Sequence, residues 1–109
     1  MAIARLNPDE FNSKLETNEY ILIDIRTPGE KIMYWYIENT DYFFDIYKEE
    51  FISQINSLDK DKKYLIYCFH WNRTQNALWY MEKQWFTYVY DLIWGIVYWE
   101  NDWFELIND

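Results

Sequence analysis

Apolar residues come in short runs separated by polar segments, and the runs carry two different periods. Ile3-Ala4-Arg5-Leu6 is a brief apolar entry. Tyr20 to Ile25 is apolar except for Asp24, and its length and β-branching predict a buried strand. Tyr64 to Cys68 predicts a second strand and Val89 to Leu92 a third, with Ile3–Arg5 and a segment near Tyr42–Phe44 as shorter ones. Between the runs the period changes. Asn7-Pro8-Asp9-Glu10 reads as a helix start: Asn7 can cap, Pro8 suits the first turn, and Glu10 can complete a capping box. Phe11 and Leu15 then share a face. Asp45 to Leu58 reads as helical, with Phe51, Ile52, Ile55 and Leu58 on one side. Thr74 to Gln84 and a segment opened by Gly95 through Trp99 complete the helices. Arg26–Gly29 and Asp59–Lys62 read as turns, and Lys31 to Phe44 as a short helix followed by a strand. Strands alternating with helices predict an α/β domain: a central, mostly parallel sheet of four or five strands with helices on both faces. No linker or repeat divides residues 1–109, so one domain is expected.

Composition narrows the function. The net charge of −9 argues against nucleic-acid phosphates and anionic membrane surfaces as partners. No apolar run approaches the roughly 18 residues needed to span a bilayer, and the first residues lack a signal-peptide core. One Cys excludes an internal disulfide, and one His leaves no Cys/His zinc set. A cytoplasmic, reducing setting with no cofactor is the default expectation. The anomaly is aromatic: 23% of the chain is Phe, Trp or Tyr, while only two residues are Gly. Average usage would supply about seven or eight glycines.

The chemistry rests on Cys68. In open α/β sheets, sites form at the carboxyl ends of strands, and Cys68 ends the Tyr64 run before Phe69-His70-Trp71-Asn72-Arg73-Thr74 and a helix. There a thiolate faces backbone N–H groups and the positive end of a helix, which favour the anion. Arg73 could hold an anion above the sulfur. The bland alternative is a buried structural thiol at a strand end. His70 either tunes the sulfur or is an exposed loop residue.

These segments resemble the rhodanese-like family over nearly the whole chain. The resemblance is carried by Leu6-Asn7-Pro8-Asp9-Glu10-Phe11, by Leu22-Ile23-Asp24-Ile25-Arg26-Thr27-Pro28-Gly29-Glu30, by Ile37-Glu38, by the loop from Cys68 to Thr74, and by Val89 to Ile96 with Trp99. It implies a sulfurtransferase in which Cys68 carries a persulfide and passes it to a thiophilic acceptor. Backbone N–H groups from Phe69 through His70, Trp71 and Asn72 to Arg73, with Thr74 following, would form the cradle. Asp24, Arg26 and Glu30 would be structural or flank the site. Four residues separate Cys68 from Arg73, as in sulfur-handling members; related phosphatases have one more, which disfavours that activity.

Departures from the family pattern concentrate on glycine. The loop pattern Cys-Arg-x-Gly-x-Arg has Phe69 and Trp71 at its second and fourth positions. Glycines expected near the last helix, before Ile37, after the helix that follows Cys68, and beyond Trp99 appear as Trp94, Trp35, Trp85 and Trp103. Tyr98 replaces an often small residue. This pattern suggests a scaffold remodelled, even engineered, into an aromatic interface over the active-site face. Its anchors would be Trp35, Trp71, Trp79, Tyr80, Trp94 and Tyr98, and its partner another protein or a second copy of the chain. Sulfur transfer would then be weak or absent. A third reading is an aromatic-lined pocket for a flat ligand.

Overall fold

A computed structural model describes residues 2–69 and 73–108. Five strands and five helices alternate: β1 (Ala2–Leu6), α1 (Pro8–Glu16), β2 (Tyr20–Asp24), α2 (Pro28–Tyr34), β3 (Tyr42–Phe43), α3 (Phe51–Asn56), β4 (Lys63–Tyr67), α4 (Arg73–Lys83), β5 (Tyr88–Leu92) and α5 (Gly95–Asn101). All strand pairs are parallel, in the order β1-β5-β4-β2-β3, so β4 is central and carries the expected cysteine at its carboxyl end.

Side chains alternate across β4 and divide the core in two. Tyr64, Ile66 and Cys68 pack with Phe51 and Ile55 of α3 and with Ala77, Leu78 and Met81 of α4. Leu65 and Tyr67 pack on the other face with Phe11 of α1 and Ile96 and Trp99 of α5. Helices therefore cover both faces, as the strand–helix alternation predicts. Near-continuous apolar strands are what a sheet buried on both sides requires.

Two local expectations are corrected. Pro28 and Gly29 are not a turn but the first residues of α2, because Thr27 caps that helix: its hydroxyl accepts the Glu30 amide at 3.2 Å while the Glu30 carboxylate accepts the Thr27 amide at 3.1 Å. The helix read over Asp45–Leu58 is confined to Phe51–Asn56. Ahead of it the Asp45 side chain accepts the Tyr47 amide at 2.9 Å, an Asx turn that competes with helical pairing.

Helix ends supply the most unusual backbone. α4 closes with Phe86 N–H donating to the Met81 carbonyl and Trp85 N–H to Glu82, both at 3.1 Å. α5 closes identically, Phe104 to Trp99 at 3.2 Å and Trp103 to Glu100 at 2.9 Å. These are Schellman closures, whose penultimate residue is left-handed and is usually Gly or Asn. Here it is Trp85 (φ 69°) and Trp103 (φ 68°). α1 ends with the ordinary choice, Asn18 at φ 59°. A non-glycine residue in this region costs roughly 1–2 kcal/mol.

Two aromatic substitutions should therefore act oppositely in urea denaturation. Phe11→Ala, which empties a fully buried site packed edge-on against Trp99, should cost about 3–5 kcal/mol. Trp103→Gly, at a residue 92% exposed, should stabilise by about 1 kcal/mol once the greater freedom of unfolded glycine is offset.

Candidate functional site around Cys68

Cys68 lies one residue past β4, buried to 1% exposure. Its Sγ is 3.9 Å from the Thr74 hydroxyl in the first turn of α4. That hydroxyl donates its one proton to Asp91 Oδ2 at 2.8 Å, so toward sulfur it can only accept. Asp91, fully buried in β5, also accepts from Arg5 Nε through both oxygens at 3.0 and 3.1 Å. A line of polar groups, Arg5–Asp91–Thr74–Cys68, thus runs through an otherwise apolar interior. Burying a carboxylate is tolerable only with such partners.

The carbonyls behind the sulfur are held as well. Ile96 N–H donates to the Cys68 carbonyl and Val97 N–H to that of Phe69, each at 3.1 Å. These are otherwise unsatisfied amides of α5's first turn. Reaching them takes two successive left-handed residues, Trp94 (φ 62°) and Gly95 (φ 59°). A Cβ on Gly95 would collide with both carbonyls, so that position admits only glycine.

Arg73, five residues after Cys68, meets Glu30 in a two-pronged pair at 2.7 and 2.6 Å. The Arg73 hydrogen bonds hold Glu30 near about 2, against a smaller upward push from burial. Glu30 in return raises Arg73. The fork expected to hold an anion above the sulfur is therefore already engaged by a carboxylate. Asp24 and Arg26 form a second, fully buried pair, with Arg26 Nη2 2.7 Å from Asp24 Oδ2 and 2.6 Å from the Trp35 carbonyl.

Of the remaining expected site residues, Thr74 is fully buried and Phe69 packs its ring 4.5 Å from that of Tyr34. His70, Trp71 and Asn72 lie outside the described residues. The expected interface anchors are distributed over the fold. Trp35 ends α2 and Trp94 precedes α5, both near half exposed. Trp79 and Tyr80 sit on α4, where the Tyr80 hydroxyl donates to Asn56 Oδ1 at 3.0 Å. Tyr98 is on α5, over the opposite sheet face. A cavity of about 920 Å³ is lined by Tyr20, Trp99, Trp103 and Phe104 together with carboxylates, and contains neither Cys68 nor Arg73.

A family model for the rhodanese-like domain matches residues 7–102. The chain belongs to the rhodanese-like family. Solved structures give the same fold. A rhodanese-related protein from Thermoplasma volcanium matches with a TM-score of 0.83 at 24% identity, over 97% of this chain and 99% of that one. A rhodanese-like domain protein from Staphylococcus aureus gives 0.77 at 24%, over 96% and 99%. A polysulfide-sulfur transferase homodimer from Wolinella succinogenes gives 0.78 at 20%, over 98% and 80%. The rhodanese-like resemblance and the α/β expectation are thereby shown. Among the described residues no cluster of His, Cys, Asp and Glu could hold a metal ion, and no helix is long and apolar enough to cross a membrane.

Sequence reasoning left Asp91, Arg5 and the role of Glu30 out of the site. The signal was present: a carboxylate inside the apolar run Val89–Leu92 and a guanidinium inside Ile3–Leu6 must find each other across neighbouring strands.

The ion pair sets an acid limit. Glu30 titrates at about 2 in the fold against 4.5 unperturbed, so its contribution to stability is complete above the unfolded value and is lost as pH falls through the folded one. Acid titration followed by circular dichroism should show Glu30→Gln less stable than the parent at neutral pH. The difference should shrink as pH drops from 4.5 toward about 2.

Proposed function

We propose that the protein is a sulfurtransferase that carries sulfane sulfur on Cys68. The observation that carries this reading is the position of the chain's single cysteine in a rhodanese-like chain, at the carboxyl end of the central strand and pinned by α5, with Arg73 at the start of the following helix.

The chemistry takes two displacements. The Cys68 thiolate attacks the outer sulfur of thiosulfate or a comparable donor; the donor's S–S bond breaks, sulfite leaves with the bonding pair, and Cys68 holds a persulfide. A thiophilic acceptor then attacks the outer sulfur, and the bonding pair returns to Cys68 as thiolate. The Arg73–Glu30 pair fixes the first turn of α4, on which Thr74 approaches the sulfur. The negative charge of the chain fits a small-molecule donor better than a polyanionic one.

A second reading, a protein-docking face beside this site, is favoured by the exposed run Ile32, Met33, Tyr34 and Trp35 at the end of α2, with Ile32 76% and Met33 72% exposed. A persulfide acceptor protein or a second copy of the chain would cover it. An engineered single aromatic interface has less support, because its anchors Trp79, Tyr80 and Tyr98 are carried by helices on opposite faces of the sheet.

Thiosulfate-to-cyanide transfer should depend entirely on the thiol: thiocyanate formation falls to background in Cys68→Ala. Turnover that survives this change, or no turnover in either protein, rejects the reading. Burial of Cys68 further implies slow alkylation by iodoacetamide at neutral pH. For the docking face, sedimentation at micromolar concentration should show self-association that Met33→Asp weakens.

A further inference from the structure

Left-handed backbone among the described residues falls on glycine, asparagine and, unexpectedly, tryptophan. Apart from Gly95, positive φ among the described residues falls on Asn18, Asn39, Trp35, Trp85, Trp94 and Trp103. Asparagine tolerates this region through its short polar side chain. Tryptophan has no such property, yet none of the eleven Tyr and seven Phe residues shares it. Selection is therefore for tryptophan as such, not for aromatic character, and an interface built of aromatics would not discriminate in this way.

Each position also asks for glycine on its own local grounds. Trp35 (φ 65°, ψ −173°) occupies the region that essentially only glycine adopts. Trp85 and Trp103 close α4 and α5 in matching Schellman geometry, where Asn18 stands after α1. Trp94 adjoins Gly95 in the pair that brings α5 to the Cys68 carbonyl. The four indoles are 46, 80, 47 and 92% exposed, so burial does not offset the strain. Trp99 is the contrast: helical, buried, stacked 4.4 Å from Phe104, with its Nε1 donating to the Glu105 carbonyl. It is used as a tryptophan.

We propose that positions 35, 85, 94 and 103 are glycine in the protein its own cell makes, each encoded by a UGA codon that this cell reads as glycine. UGA lies one base from the glycine codon GGA and one from the tryptophan codon UGG, and its meaning varies among genetic codes. One substitution rule then accounts both for the scarcity of glycine and for tryptophan at left-handed positions. Position 71, the fourth residue of the cysteine loop pattern, follows the same rule. The cell's protein then has a small residue three positions after Cys68 in the chain and a glycine pair at the start of α5.

The inference does not depend on sulfur transfer, and its test does not use activity. Peptide mass spectrometry of the protein purified from cells that naturally carry the gene, with the gene sequenced alongside, should give glycine and UGA at 35, 71, 85, 94 and 103. It should give tryptophan and UGG at 99. Tryptophan masses or UGG codons at 35, 85, 94 and 103 overturn the proposal. A recombinant pair supplies a second arm. The five-site variant W35G/W71G/W85G/W94G/W103G should unfold at a higher urea midpoint than the all-tryptophan chain and alkylate Cys68 faster. A lower midpoint counts against it.

Discussion

The first turn of α5 is held against the cysteine loop by two backbone hydrogen bonds, Ile96 N–H to Cys68 and Val97 N–H to Phe69. That contact depends on two consecutive left-handed residues and on the missing side chain of Gly95. Without it the loop carbonyls would be buried unpaired, and the helix would leave its first amides without partners. The sheet brings β4 and β5 side by side, but this local backbone device sets where the sulfur sits relative to the helices on either side.

Around that anchor the interior spends its polar groups sparingly. Arg5 on β1 and Asp91 on β5 pair directly across adjacent strands, and Asp91 Oδ2 accepts from Thr74 as well as from Arg5. Asp24, the last residue of β2, pairs locally with Arg26 two residues on. The third pair, Arg73 with Glu30, is less buried and links α4 to α2. The Arg5–Asp91 and Arg73–Glu30 pairs join elements distant in sequence, and losing one partner of the buried Asp24–Arg26 pair strands a charge in an apolar setting, which is more disruptive than the net worth of the pair. The electrostatics thus fix relative placement of elements whose packing is supplied by the two mixed aliphatic and aromatic clusters.

The fold was legible because both faces of the sheet are covered. The predicted strands differ from the observed ones by one or two residues, since Tyr20–Ile25, Tyr64–Cys68 and Val89–Leu92 are predominantly apolar runs, interrupted only by Asp24 and Asp91. Cys68 was legible by its place after a strand and before a helix. The segment from Asp45 to Leu58 misled because Phe51, Ile52, Ile55 and Leu58 fit a helical face, whereas Asp45 diverts the earlier backbone into an Asx turn. The partners of Thr74 and Arg73 were not legible, because Asp91 and Glu30 reach them through strand order and helix docking rather than through spacing in the chain. Tryptophan at glycine positions was visible in sequence, but only the dihedral angles separate a preference for aromatic surface from a backbone that demands glycine.

Hydrogen exchange of the Ile96 and Val97 amides, compared between the parent and Gly95→Ala, tests the central contact most directly. The two amides should be protected in the parent and should exchange much faster in the variant, while Leu65 and Val89 in the sheet stay protected. Unchanged protection of Ile96 and Val97 in Gly95→Ala would show that the approach of α5 to the Cys68 carbonyl does not depend on the missing side chain, and would contradict this account of how the site is held.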